Sequence, residues 1–113
     1  MNSVIVDAKI QPDVKVFDEI ANFNVSILSG YFTMPTGYQK NRYTFIRVVY
    51  TGIINDKVKT LIQPGNFIRL YGKLDSEHYR SKSDKTVYNK VLVIDQIKAI
   101  KFNKETGEYE EVD

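Results

Sequence analysis

The sequence predicts a small all-β domain: a five-stranded closed Greek-key barrel with one short connecting helix and a C-terminal hairpin. Three observations lead there. Apolar and polar residues alternate over most of the chain, the period of two that marks half-buried strands, while only one segment has helical spacing. Pro12-Asp13, Pro35-Thr36-Gly37, Pro64-Gly65 and Thr106-Gly107 punctuate these runs with turn chemistry. Finally, 113 residues at 42% hydrophobic content suffice for one core and are too few for two domains of ordinary size. A single sheet must then hide its own edges, which closure into a barrel achieves.

The elements follow in order. Residues 2 to 10 alternate, with Val4, Val6, Ala8 and Ile10 on one side and Ile5, Asp7 and Lys9 on the other, a first strand. Pro12 and Asp13 break the ladder, and VKVF is a short extended piece. The next strand starts near Ile20, with Phe23, Val25 and Ile27 inward and Asn22, Asn24 and Ser26 outward. At Leu28 the phase slips by one and Gly30 follows, which implies a bulge or a strand leaving the main sheet, because side chains otherwise switch faces wholesale. A long hairpin has its tip between Met34 and Asn41, and its return strand runs from Tyr43 to Ile53. Parity there groups Ile46, Val48 and Tyr50 against Phe45, Arg47 and Val49.

Asn55 to Gln63 is the helix, with Asn55 as cap, Val58, Leu61 and Ile62 as apolar stripe, and Pro64-Gly65 as stop. From Phe67 to Tyr79 a strand sets Ile68, Leu70, Gly72 and Leu74 against Phe67, Arg69, Tyr71 and Lys73. A polar loop, RSKSDK, separates it from the longest apolar strand, Val87 to Ile100. The end of the chain reads as a hairpin around its glycine. The expected division is a barrel over residues 1–101 and an acidic hairpin or tail over 102–113.

Charge and rings suggest a partner. The net charge of +2 is small but uneven: residues 1 to 100 carry fourteen Lys/Arg against nine Asp/Glu, while 101 to 113 carry two against five. Between Glu19 and Asp56 there is no acid, and residues 31 to 50, YFTMPTGYQKNRYTFIRVVY, interleave six aromatic rings with three bases. Rings take base faces and cations take phosphates, so this pattern suits single-stranded nucleic acid. The alternative is a hairpin whose rings are simply core. A second basic and aromatic cluster spans His78 to Lys90.

Other classes are excluded or disfavoured. Without cysteine there are no disulfides, thiolate metal sites or cysteine nucleophile. His78 is the only histidine and reads as an exposed loop side chain rather than a metal ligand. No cofactor and no metal are expected, and no constellation of titratable groups points to an enzyme. No run approaches the roughly 18 apolar residues of a membrane-spanning helix, and MNSVIVDAKI lacks the basic and apolar regions of a secretory signal. A soluble, cytoplasmic protein with no membrane partner is the expectation.

Several short motifs in order, Asn2 and Val4, Ala21-Asn22-Phe23, Phe45-Ile46-Arg47-Val48-Val49, Pro64-Gly65 and Gly72-Lys73-Leu74, resemble the bacterial single-stranded DNA-binding protein family over roughly residues 2 to 100. The resemblance implies an OB-fold that binds single-stranded DNA largely without sequence preference, in replication, recombination or repair. It implies base stacking at Tyr31, Phe45 and Tyr79. A further ring of the family falls at Thr51, which cannot stack, and adjacent Tyr50 would compensate in part only if the strand is twisted or shifted. Phosphate-facing candidates are Lys40, Arg42, Arg47, Arg69, Lys73, Arg80, Lys82 and Lys85, with Tyr43 and Tyr71 as further rings. The family also implies a homo-oligomer, dimer or tetramer, joined through its first strand, although Ile46 stands where a histidine is common at a subunit contact. The family's linker and acidic Pro-Phe tip, which recruit protein partners, are not matched by EYEEVD, and that role is not carried over. Two further readings stay open: an accessory OB-fold protein of replication restart or an RNA binder, and a protein-interaction module.

Overall fold

The alternation at the start of the chain becomes barrel wall: Val4, Val6, Ala8 and Ile10 are all at most 1% exposed. The computed structural model describes residues 3–33, 45–80 and 86–112, with side chains over 3–28, 45–76 and 90–112. Among these residues the elements are β1 (Ser3–Ile10), β2 (Lys15–Val16), β3 (Ala21–Thr33), β4 (Phe45–Tyr50), α1 (Asp56–Leu61), β5 (Phe67–Arg80), β6 (Thr86–Asn103) and β7 (Glu108–Val112).

Hydrogen bonding runs β1-β5-β6-β4-β3 and returns from β3 to β1, closing five strands into a barrel. β4 and β6 run parallel, and the other pairings are antiparallel. This closure leaves no long edge on the five strands where they pair, and only short β2 and acidic β7 lie outside the ring. Both sides of β1 are occupied, by β3 and β5. Neither side of β1 is therefore a free edge over residues 4–9.

The slip at Leu28 is a bulge, and the strand stays in the sheet to Thr33. Asp7 pairs with Ser29 but Ala8 pairs with Ile27, so Leu28 is the extra residue. A second irregularity falls where Tyr71 pairs with Gln96 and Gly72 with Ile94. Glycine is required at 72 by close approach: a Cβ would fall on the Val93 carbonyl oxygen and 2.8 Å from the Ile94 Cα.

Phe23, Val25, Val48, Leu70, Leu92 and Ile94 fill the interior, and Ile62 at the end of α1 plugs it. Six residues are too few for an independently stable helix. Its ends are fixed locally: the Val58 N–H donates to the Asn55 side chain at 2.9 Å, and the Asn66 amide donates to the Thr60 and Leu61 carbonyls at 3.1 Å. The Gly65 N–H then donates to the Ile10 carbonyl at 2.7 Å, tying the turn to the end of β1.

Three expectations change. The return strand ends at Tyr50 rather than Ile53, because the Thr51 N–H makes a last bond to the Ile94 carbonyl and the chain then leaves the sheet. His78 lies within β5, paired with Tyr88, rather than in a loop. β6 runs unbroken to Asn103, so the C-terminal hairpin is a continuation of a barrel strand, and Gly107 turns it at φ 73°.

Candidate nucleic-acid interface

Residues directly opposite in a β ladder share a face, so the register places the outward side chains. On β3 and β4 the outward pairs are Ser26 with Phe45, Asn24 with Arg47, and Asn22 with Val49. The register continues sideways: Lys15 on β2 lies beside Asn22, Val91 and Val93 on β6 beside Arg47 and Val49, and Lys73 and Asp75 on β5 beside Val93 and Val91. One curved outer face therefore carries Phe45, Arg47, Lys73 and Lys15.

Phe45 is 65% exposed, the most open ring among the described residues. Its neighbour across the ladder is Ser26, whose small side chain leaves the ring face uncovered. Arg47 is half-buried, and its Nη2 donates to the Asn22 Oδ1 at 3.2 Å. A guanidinium oriented in this way can contact an anion, and a ring two residues away along the strand shares its face. Beyond Asn22 the face opens into a groove of about 330 Å³ lined by Asp13, Lys15, Phe17, Asn22, Asn24 and Arg47. Phe17 is 53% exposed.

Arg69 and Tyr71 lie elsewhere. They pair with Asp7 and Ile5 of β1, on the side of the barrel that β7 covers. Arg69 holds Asp7 in a two-pronged ion pair, Nε to Oδ1 at 2.6 Å and Nη2 to Oδ2 at 3.1 Å, and donates to the Tyr109 carbonyl at 2.9 Å. Glu111 adds an ion-pair contact at 3.6 Å. The hydrogen bond to Asp7 raises the Arg69 pKa further above its already basic value. Burial, and then a hydrogen bond to Glu111, raise that of Tyr71. Phe67 stacks on Tyr109 at 5.9 Å, and Phe102 meets the same ring edge-on at 5.2 Å. These contacts fasten the acidic strand β7 to the barrel.

Tyr50 does not substitute for the ring missing at Thr51. It points into the core at 3% exposure, and its hydroxyl donates to the Ile53 carbonyl at 2.8 Å. Burial, with Asp95 nearby, raises its pKa above the usual tyrosine value. Tyr31, Tyr79 and Arg80 have described backbones within β3 and β5, while their side chains lie outside the described residues. Lys40, Arg42, Tyr43, Lys82 and Lys85 lie wholly outside them. Sequence reasoning did not single out Lys15, Phe17 or Asn24. Lys15 and Phe17 stand two apart, the same ring-and-base spacing as Phe45 and Arg47, and that repeat was the available signal.

Among the described residues no group of three His, Cys, Asp or Glu could hold a metal ion. No family model and no curated protein matches the sequence. Solved structures do match. The Plasmodium falciparum SSB in complex with ssDNA superposes with a TM-score of 0.56 at 17% identity, covering 100% of this chain and 96% of that one. The mitochondrial single-stranded DNA-binding protein Rim1 of S. cerevisiae gives 0.52 at 9% identity, covering 86% and 92%. At these identities the likeness is one of fold, the OB-fold, and it extends over nearly the whole length of both chains.

Proposed function

We propose that this OB-fold protein binds single-stranded DNA, largely without sequence preference and without catalysing a reaction. The observation that carries the proposal is the 65% exposed ring of Phe45 beside Arg47 on the outer face of a closed barrel. Phe45 stacks on a base, an interaction worth about 1–3 kcal/mol and indifferent to sequence, since every base has a π-face. Arg47 and Lys73, which follow Phe45 in successive rows along the same face, neutralise phosphates. Tyr31 and Tyr79 are further stacking residues in this proposal, and Lys40, Arg42, Tyr43, Arg80, Lys82 and Lys85 extend the basic path. Arg69 and Tyr71 are assigned to the scaffold instead, because their polar groups are engaged by Asp7 and Glu111.

The overall resemblance to single-stranded DNA-binding proteins supports a role in replication, recombination or repair, acting as a dimer or tetramer. Ile5, Phe67 and Phe102, between 40% and 46% exposed, offer apolar surface for such assembly away from Phe45. RNA is the competing ligand, and competition between DNA and RNA oligomers of equal length separates the two. The decisive test is an anisotropy titration with labelled oligo-dT. Phe45→Ala weakens binding by about 5- to 150-fold, corresponding to loss of one stacked base, with the melting temperature unchanged. Unchanged affinity, or collapse of the fold, contradicts the assigned role.

A further inference from the structure

The binding path does not stop at Arg47. We infer that it continues across β3 onto the β2 hairpin, where Phe17 stacks a further base and Lys15 meets its phosphate. The inference rests on the single-stranded DNA reading above and extends it to residues outside the barrel ring.

Four observations carry it. Phe17 is 53% exposed, second only to Phe45 among the phenylalanines and tyrosines with described side chains. It lines one groove together with Lys15, Asn22, Asn24 and Arg47. Its backbone is fixed: the Phe17 N–H donates to the Ile20 carbonyl at 2.8 Å, closing a tight turn over Asp18 and Glu19, while Lys15 and Val16 pair with Asn22 and Ala21. A ring carried on a fixed backbone has only side-chain freedom left to lose on binding, which favours a contact. Finally, Lys15 shares the outward face of Asn22, so a base on Phe17 has a cation two residues away.

An isolated exposed phenylalanine needs no function. Here the ring is not isolated. It repeats the spacing of Phe45 and Arg47 at the far end of the same polar row, Asn22, Asn24 and Ser26. Those three positions run from the Lys15 register to the Phe45 register, four residues or about 14 Å along the strand. That span matches about four nucleotides at the 3.4 Å rise of a stacked strand, and fewer if the strand is stretched. Asn24 sits between the two rings, exposed, with its amide turned to the outer face opposite Arg47. Asp13 lines the same groove and repels phosphate, which keeps the backbone on the Lys15 and Arg47 side.

The test compares the unaltered protein with Phe17→Ala, Phe17→Leu, Phe17→Trp and Phe45→Ala on oligo-dT from 4 to 24 nucleotides. On long oligomers Phe17→Ala and Phe17→Leu bind about 5- to 10-fold more weakly, and Phe17→Trp binds at least as well as the unaltered protein. The loss shrinks on the shortest oligomers that Phe45 still binds, because these end before the hairpin. Unchanged melting temperatures verify the fold. If Phe45→Ala is weakened while Phe17→Ala matches the unaltered protein at every length, the extension is wrong and the Phe45 site stands. If Phe17→Leu binds as tightly as the unaltered protein, the ring is not a stacking group. If the unaltered protein binds no oligomer, the underlying reading falls and the extension with it.

Discussion

Replacing Arg69 by methionine separates scaffold from interface. Arg69 is a base on a strand that also carries rings, which is why its sequence context suggests a phosphate contact, yet its guanidinium is spent on Asp7, the Tyr109 carbonyl and Glu111. The Asp7 side chain is 11% exposed and that of Arg69 20%. Removing one partner of a buried ion pair costs about 3–5 kcal/mol, because the other charge is left in low dielectric without compensation. Residual solvent at this pair lowers the expectation to about 2–4 kcal/mol. Methionine keeps most of the aliphatic stem, so packing is largely preserved. For a chain of this size about 3 kcal/mol is a fall of about 12 °C in melting temperature. The assay is thermal or urea denaturation followed by circular dichroism, alongside oligo-dT binding well below the transition. Arg69→Met melts about 12 °C lower and binds DNA normally, and adding Asp7→Asn recovers part of the loss by removing a poorly solvated negative charge. A variant that melts like the unaltered protein but binds tenfold more weakly would refute the reasoning and return Arg69 to the interface.

Two other predictions are independent of that pair. Tyr50→Phe removes the hydrogen bond to the Ile53 carbonyl, at a cost of about 0.5–1 kcal/mol, since exposed Ile53 can take water instead. Burial raises the Tyr50 pKa, so the stability it contributes is complete below about pH 10 and is lost as pH rises through the folded-state value. Urea melts from pH 8 to 11.5 should therefore show a shallower alkaline decline in Tyr50→Phe, and an identical decline would contradict the burial argument. Asp13→Asn keeps a residue that tolerates the left-handed conformation at φ 80° while removing a negative charge from the groove. Relief of about 0.5 kcal/mol of repulsion, near twofold tighter oligo-dT binding, is expected at low salt and should fade at high salt. Weaker binding at low salt would place the strand away from this groove.

Local pattern made most of the barrel legible. Strict alternation in residues 4 to 10 and 23 to 27, the slip at Leu28, the Asn55 cap and the Pro64-Gly65 stop each encode their structure within a few residues. Phe45 and Arg47 were legible for the same reason, since parity alone turns them outward from Val48 and Tyr50. What pattern could not supply was the partner across the sheet. Arg69 and Arg47 look alike along the chain, but one faces Asp7, sixty-two residues away, and the other Asn22. The shared groove of Lys15, Phe17 and Arg47 likewise exists only once β2 folds back on β3 beside β4. The fastening of β7 depends on Phe67, Phe102 and Tyr109 meeting through a long strand that sequence reasoning had divided near residue 101.

The central claim, that this face holds a single strand by stacking as well as by charge, is tested most directly by titrating oligo-dT and a duplex of equal length at several salt concentrations. Tight binding to the single strand and much weaker binding to the duplex are predicted, since paired bases cannot offer their faces to Phe45. The logarithm of the single-strand affinity should fall with that of salt with a slope of about −2 or steeper, from Lys15, Arg47 and Lys73 alone at about −0.7 each. Equal affinity for the two forms would reduce the surface to generic electrostatics and contradict the account.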